Sequence, residues 1–269
     1  MLDHFLHSEA VRSTTAHRRA RPWLGTLVEV AALQTESGEV SQHTAQAIEN
    51  AFAVIAHVHT TMSHQSACSE LSVFNALKAG LWMPVSSAFS EVLAFSLQLS
   101  QLSAGVFDVC CTGGDWRSLV LDAAQQRIRK RAALSLDLSG VAKGYAVDSA
   151  VQALQAAGVP GGWVNAGGDL RVFGAASQPL LVRSAREPST LHHCTVLQDR
   201  SAATSAHCLP NKPLLRHGST RARVCGPASW TISAPTCMAA DALTKVLAAS
   251  GDSSHRIFSD YAAQAWIFD

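Results

Sequence analysis

Apolar residues recur along this chain at two periods. The run TLVEVAAL, Thr26 to Leu33, alternates in the way a strand does. Ile48, Ala51, Phe52, Ile55, Val58 and Met62 fall at helical spacing and predict an amphipathic helix. A second helix is expected from Ser87 to Leu102 with Ser86 or Ser87 as N-cap, and Ser69 is placed to cap a short helical turn. Leu134 to Leu138 reads as a short strand running into Gly140. Ala142 to Ala157 is helical in pattern and is stopped by Gly158-Val159-Pro160. Trp163 to Ala166 and Leu170 to Phe173 predict strands on either side of a tight turn, Gly167-Gly168-Asp169. Further strands are expected at Leu180 to Val182, Cys194 to Leu197 and Trp230 to Ser233. A helix over Met238 to Ser250 and strands near Arg256 to Phe258 and Ala265 to Phe268 follow. Residues 1–20 read as a polar, poorly ordered arm, and His207 to Pro227 as one long irregular segment. Helices and strands interleave without a regular βαβα alternation, so the expected class is α+β. A single compact domain over residues 21–269, built of two α/β layers, is the architecture this implies.

Composition narrows the picture. Hydrophobic residues make up 48% and charged ones only 15%, which excludes intrinsic disorder. Twenty-one Lys and Arg against twenty Asp and Glu leave a net charge of +1, no footprint for a nucleic-acid partner. The short basic runs Arg18 to Arg21 and Arg127 to Arg131 read as solvated faces. No apolar stretch approaches the ~20 residues of a spanning helix, so membrane insertion is not expected. The first residues lack the order of a secretory signal, and no lipid-anchor Cys follows, which points to the cytoplasm. Seven cysteines without a CxxC pair read as reduced thiols. His57 and His59, two apart on a helix, are poor metal geometry.

P-loop and GxGxxG signatures are absent. Four segments nonetheless hold polar groups that packing does not demand. In Leu136-Asp137-Leu138-Ser139-Gly140-Val141-Ala142-Lys143-Gly144-Tyr145-Ala146-Val147-Asp148 a strand gives way to a helix whose first N–H groups could bind an anion; a plain turn with Lys143 solvated is the alternative. In Val164-Asn165-Ala166-Gly167-Gly168-Asp169-Leu170 the paired Gly residues allow either a hairpin turn or close approach of a ligand. Asp241, near the start of an apolar helix, serves as a dipole-stabilising charge or as a hard oxygen ligand for Mg²⁺, with Thr244 on the same face. The Ser-rich loop from Met62 leads to Glu70-Leu71-Ser72-Val73-Phe74-Asn75.

Together these segments resemble one family, the FAD:protein FMN transferases (ApbE-like proteins). The likeness runs in order from Leu24-Gly25-Thr26 through Gly105-Val106-Phe107-Asp108, the LDLSGVAKGYAVD and VNAGGDL segments and Ala203-Thr204-Ser205 to Met238 to Leu243. The resemblance implies a Mg²⁺-dependent enzyme with the flavin site in a cleft between the two layers. Such an enzyme cleaves FAD, releases AMP and joins FMN to a Thr or Ser hydroxyl of an acceptor flavoprotein. Carried over position by position, FAD contacts fall to Leu24, Val106, Phe107, Asp108, Ser139 and Tyr145, with the Gly167-Gly168 turn beside them. The metal falls to the Ala142 carbonyl, Asp241 and Thr244, and catalysis to Asp241 and His217.

Departures from the family pattern concentrate in the catalytic half. Gln65 stands in place of an aromatic, Ala206 in place of a Gly, and Leu215 to Arg221 is an eroded form of the family's histidine segment, with His217 where the family has Asp. Lys245 stands where the family has a hydroxyl ligand. Being long, it is expected to turn outward to water and leave the metal to Asp241, Ala142 and Thr244; the alternative puts its ammonium in the cation's place. An FAD-binding or FAD-hydrolysing protein without transfer, or a non-catalytic scaffold, are the competing readings.

Overall fold

The structure, a computed structural model, describes residues 16–33, 41–110, 113–184, 187, 189–206, 217–222, 224 and 229–268. β1 (Ala16–Trp23) and β2 (Thr26–Leu33) form a hairpin paired from Ala16 opposite Leu33 to Trp23 opposite Thr26. Residues 16–20, assigned to the polar arm from sequence, are therefore an edge strand; residues 1–15 lie outside the described residues. Arg18, Arg19 and Arg21 charge that edge, which deters pairing with another chain. The chain turns at Leu24 (φ +56°) and Gly25 (φ +72°).

Hydroxyl caps then set the helices. α1 (Gln42–Met62) is started by Ser41, whose Oγ accepts the Thr44 N–H, and buries all six residues of the predicted stripe. α2 (Glu70–Ala76) is capped by Ser69. β3 (Met83–Pro84) leads to α3 (Ser87–Leu102), for which Ser86 is the cap. β4 (Leu119–Asp122) and β5 (Arg127–Lys130) join β3 in a three-stranded sheet of order β3-β5-β4.

In that sheet Lys130 is not solvated. It is 4% exposed, its Nζ donates to the carbonyls of Phe74, Asn75 and Leu134 at 2.9–3.2 Å, and it lies 5.1 Å from the Phe74 ring centroid. Burial lowers its pKa.

The strand expected over 134–138 does not form. Asn75 takes both the N–H and the C=O of Leu136, at 2.8 and 2.9 Å, and Asp137 donates to the Val109 carbonyl; among the described residues one bridge, Gly113 to Ser135, remains.

α4 (Ala142–Ala156) follows, then β6 (Gly161–Ala166) and β7 (Asp169–Gly174), joined through Gly167 (φ +64°) and Gly168 (φ +104°) as the sequence predicts. β8 (Gln178–Arg183) and β9 (Leu191–Leu197) form a separate hairpin. β10 (Ser201–Ala206), β11 (Ser229–Ala234), α5 (Cys237–Ser250), α6 (Ile257–Asp260) and β12 (Gln264–Phe268) complete the chain. The predicted strand at 256–258 is the start of α6: the Arg256 carbonyl accepts from Ser259 and Asp260, and adjacent Ile257 and Phe258 both reach the core. Of the expected irregular segment 207–227, only 217–222 and 224 are described.

Antiparallel pairing gives a seven-stranded sheet of order β1-β2-β6-β7-β10-β11-β12. One face carries α1 and α4 over Val28, Val30, Val164 and Ala166; the other is covered by the β8–β9 hairpin through Leu180, Val182 and Leu197. α5 lies between the sheet and the unit of α2, α3 and the small sheet, sharing one core with Phe74, Phe89 and Leu138. The α+β layered architecture is as expected.

The contact of α4 with α5 is close. A Cβ on Gly144 would stand 2.3 Å from the Cys237 carbonyl oxygen. Asp148 of α4 is buried, and its carboxylate accepts the Cys237 and Met238 N–H groups at 2.9 and 2.8 Å and the Arg171 guanidinium at 2.6 Å. It thus supplies a negative charge to the first turn of α5. Burial raises the Asp148 pKa even against Arg171 and those two N–H groups. Gly144→Ala should lower stability by about 3 kcal/mol, the range of an overpacked core. Urea unfolding followed by circular dichroism checks this; a loss under about 1 kcal/mol would mean that α5 is free to shift away.

Candidate functional site

Three of the sequence motifs meet where α4 begins. The cap residue Val141 offers no side-chain hydrogen bond, so the orphan N–H groups of α4 look elsewhere. Asp241, in the second turn of α5 and wholly buried, accepts the Gly144 N–H on Oδ2 at 3.2 Å. Lys143 ion-pairs with Asp169, the first residue of β7, and its Nζ is 3.8 Å from Asp241 Oδ2. Ser205 of β10 lies 2.8 Å from the Thr244 hydroxyl, which donates to the Asp241 carbonyl at 2.7 Å.

Lys245 does not turn outward. It reaches back along α5 to the Asp241 carboxylate, with its side chain only 20% exposed. Its Nζ also donates to the Asp241 carbonyl at 3.0 Å and to Thr244 Oγ1 at 3.1 Å. Desolvation of Asp241 penalises its charge, yet Lys143, Lys245 and the Gly144 N–H outweigh it and hold the pKa below the usual carboxylate range. Asp169 moves the other way: burial and the neighbouring Asp241 raise it against the pull of Lys143. Burial, with Asp148, Asp169 and Asp241 nearby, keeps the Cys237 thiol protonated.

Around this network the expected flavin contacts fall in two groups. Leu24, Val106, Phe107, Ala142 and Tyr145 share the apolar cluster with Leu138 and Val141. Asp108 is buried, accepts the Cys110 N–H at 2.6 Å and pairs with Arg221 at 3.2 Å. Gly167 and Gly168 are exposed at the hairpin tip, with the Gly168 N–H held by Asn165 Oδ1 at 3.0 Å. Ser139 is exposed, and its N–H donates to Asp137.

His217 belongs to a turn docked on the segment after α3: Gly218 N–H donates to the Val106 carbonyl, and Ser219 Oγ to the Ala104 carbonyl. Its Nδ1 accepts the Thr220 N–H at 3.2 Å, which leaves the proton of the neutral ring on Nε2. Among the described residues no hydrogen bond joins His217 to Asp241.

Lys143, Asp169, Asp148 and Ser205 were not singled out as site residues from sequence. The available signal was charge inside two otherwise small or apolar motifs. A cavity of about 510 Å³, lined by Trp163, Asn165, Gly168, Thr204 and Leu180 among others, opens on the other face of the sheet, since Thr204 lines it while Ser205 faces α5, and it meets the candidate site residues at Gly168. Among the described residues no group of three or more His, Cys, Asp or Glu is arranged to hold a metal ion, and no helix is long and apolar enough to cross a membrane.

The sequence profile of the ApbE family matches residues 24–114 and 110–265, most of the chain. No curated relative matches it in sequence. The crystal structure of apo flavinyl transferase ApbE from Pseudomonas stutzeri is similar at a TM-score of 0.76 and 20% identity, over 88% of this chain and 84% of that one. A histidine-to-glycine variant of flavin transferase ApbE from Vibrio cholerae gives 0.79 at 18% identity, over 94% and 93%. The ApbE protein of Thermotoga maritima gives 0.77 at 18% identity, over the same shares. At such identities the likeness is one of fold.

Tyr145 gives the site an optical handle. Its hydroxyl donates to Glu91 at 3.0 Å, and burial, then the Glu91 charge, push its pKa up to about 12; burial raises Tyr261 also. These are the chain's two tyrosines. Alkaline titration of the folded protein by ultraviolet absorbance should therefore show no phenolate step at the ordinary value of 10.0, and Glu91→Gln should bring one step down towards it. A full two-tyrosine step at the ordinary value would contradict the Tyr145–Glu91 contact.

Proposed function

Because this chain belongs to the ApbE family, we propose that it is a flavin transferase acting on FAD, moving FMN to a Thr or Ser hydroxyl of an acceptor flavoprotein. The observation that carries this reading is Lys143, whose ammonium draws Asp169 and Asp241 to the first turn of α4, where the cap residue Val141 offers no side-chain hydrogen bond of its own. Three motifs far apart in sequence are thereby held at one helix N-terminus, where the dipole and a lysine favour a phosphate. Leu24, Val106, Phe107 and Tyr145 supply apolar and aromatic surface for the flavin or adenine, with Asp108 and Ser139 as polar partners. The Gly167-Gly168 turn has no Cβ to keep the pyrophosphate from the backbone.

In the transfer, the acceptor oxygen bonds to the FMN phosphorus and the bridging P–O bond breaks. AMP leaves with the bridging oxygen and the hydroxyl proton. Such a step asks the protein chiefly for alignment and charge stabilisation. Lys143 and Lys245 are the cations beside this helix end. His217, with its proton on Nε2, serves as a hydrogen-bond donor to phosphate and not as a base.

The magnesium ion that the resemblance implies does not fit these residues. Asp241 Oδ1, the Asp241 carbonyl and Thr244 Oγ1 already receive the Lys245 ammonium, and no step is assigned to a metal. The competing reading is FAD hydrolysis at the same site, with water in the acceptor's place and the same need to lose a proton.

Incubation with FAD and a flavoprotein bearing a Thr or Ser acceptor should yield covalent FMN on that residue by mass spectrometry, with one AMP released for each FMN attached. AMP and free FMN without a mass gain would select hydrolysis. Neither product, together with no FAD binding, would overturn both readings.

A further inference from the structure

We infer that Lys245 is a tethered cation that occupies the seat of a divalent ion, so that this site accommodates a diphosphate without metal. The diphosphate half rests on the proposed function; the occupied seat does not.

Charge is the first argument. Two buried carboxylates, Asp169 and Asp241, face two ammonium groups, Lys143 and Lys245. The adjacent Asp148 is matched by Arg171. The network is already neutral, and a divalent ion would add two uncompensated charges to a place largely removed from water. Were residue 245 a neutral side chain, the same carboxylates would exceed Lys143 by one charge and attract a cation.

Donor geometry is the second. An ammonium has three N–H bonds. Three oxygens receive that of Lys245: the Asp241 carboxylate, the Asp241 carbonyl at 3.0 Å and Thr244 Oγ1 at 3.1 Å. These are the hard oxygens that an octahedral ion would need on α5.

The third is confinement. Lys245 is four residues after Asp241 on one helix, so the pair shares a face of a rigid element. Its stem lies over the turn that enters α4: a Cβ on Gly140 would stand 3.3 Å from Lys245 Cε and 3.6 Å from Cγ. Gly140 thus leaves the room that the stem uses, and the side chain is held between two motifs instead of waving in solvent. An ammonium so fixed lends one positive charge but exchanges no ligands. It screens the carboxylates from an incoming phosphate without coordinating it.

Mn²⁺ titration of the whole chain, with the free ion followed by electron paramagnetic resonance, tests the seat without reference to flavin. The parent and Lys245→Arg, which keeps the charge, should show no saturable site. Lys245→Thr and Lys245→Met should each acquire one, the Met variant showing that removal of charge suffices; circular dichroism verifies that each is folded. A saturable site in the parent, or none in either neutral variant, would overturn the inference. In parallel, FAD binding by flavin fluorescence should be the same for the parent in EDTA and in MgCl₂, while Lys245→Thr should bind FAD about tenfold more tightly with Mg²⁺, the reciprocal coupling expected of two ligands that meet. Metal-dependent FAD affinity in the parent would also sink it. If the parent binds no FAD under either condition, the proposed function falls, and the Mn²⁺ result alone still decides the role of Lys245.

Discussion

Two helices in this protein exchange carboxylates. Asp148 leaves α4 to meet the first N–H groups of α5, and Asp241 leaves α5 to meet Gly144 N–H at the start of α4. Each helix completes the other's unsatisfied end, and both charges are buried. The exchange requires the two backbones to touch, which Gly144 permits. Everything at the site follows from this: Lys143 is aimed by α4, Thr244 and Lys245 by α5, and Asp169 is brought alongside by the hairpin that α4 packs against. Loosening the crossing would disperse the network as well as weaken the core.

Two buried carboxylates paired with two half-buried lysines are an expensive way to hold two helices, since each ion loses water that its partner only partly replaces. Their retention beside an exposed Gly-Gly turn and the start of α4 makes better sense as a site than as glue. The fold, by contrast, tolerates wide change: architecture is shared with the ApbE structures at 18–20% identity.

Local signals were legible in the sequence. The Ile48 to Met62 stripe, the serine cap at Ser86 or Ser87, the stop at Gly158 and the Gly167-Gly168 turn each depend on neighbours within a few residues, and each is found where expected, the cap being Ser86. What failed depended on distant partners. Leu134 to Leu138 has strand composition, but Asn75, far back in the chain, claims the backbone of Leu136. Lys245 reads as a solvent-seeking side chain until a wholly buried carboxylate is placed one turn before it. The motifs named the segments of the candidate site, yet not that Lys143 of one would bind Asp169 of another. His217 could be aligned but not oriented, because its tautomer is set by the Thr220 N–H.

Lys130 carries a consequence of a different kind. Its amine sits behind three carbonyl groups and an aromatic ring that belong to α2 and to the loop before α4. No acylating reagent can reach it while those pieces stay together. Its labelling rate therefore measures how often the small-sheet unit opens, and modification at that one position would lock the unit apart, since an amide nitrogen bearing an acyl group can no longer satisfy three acceptors.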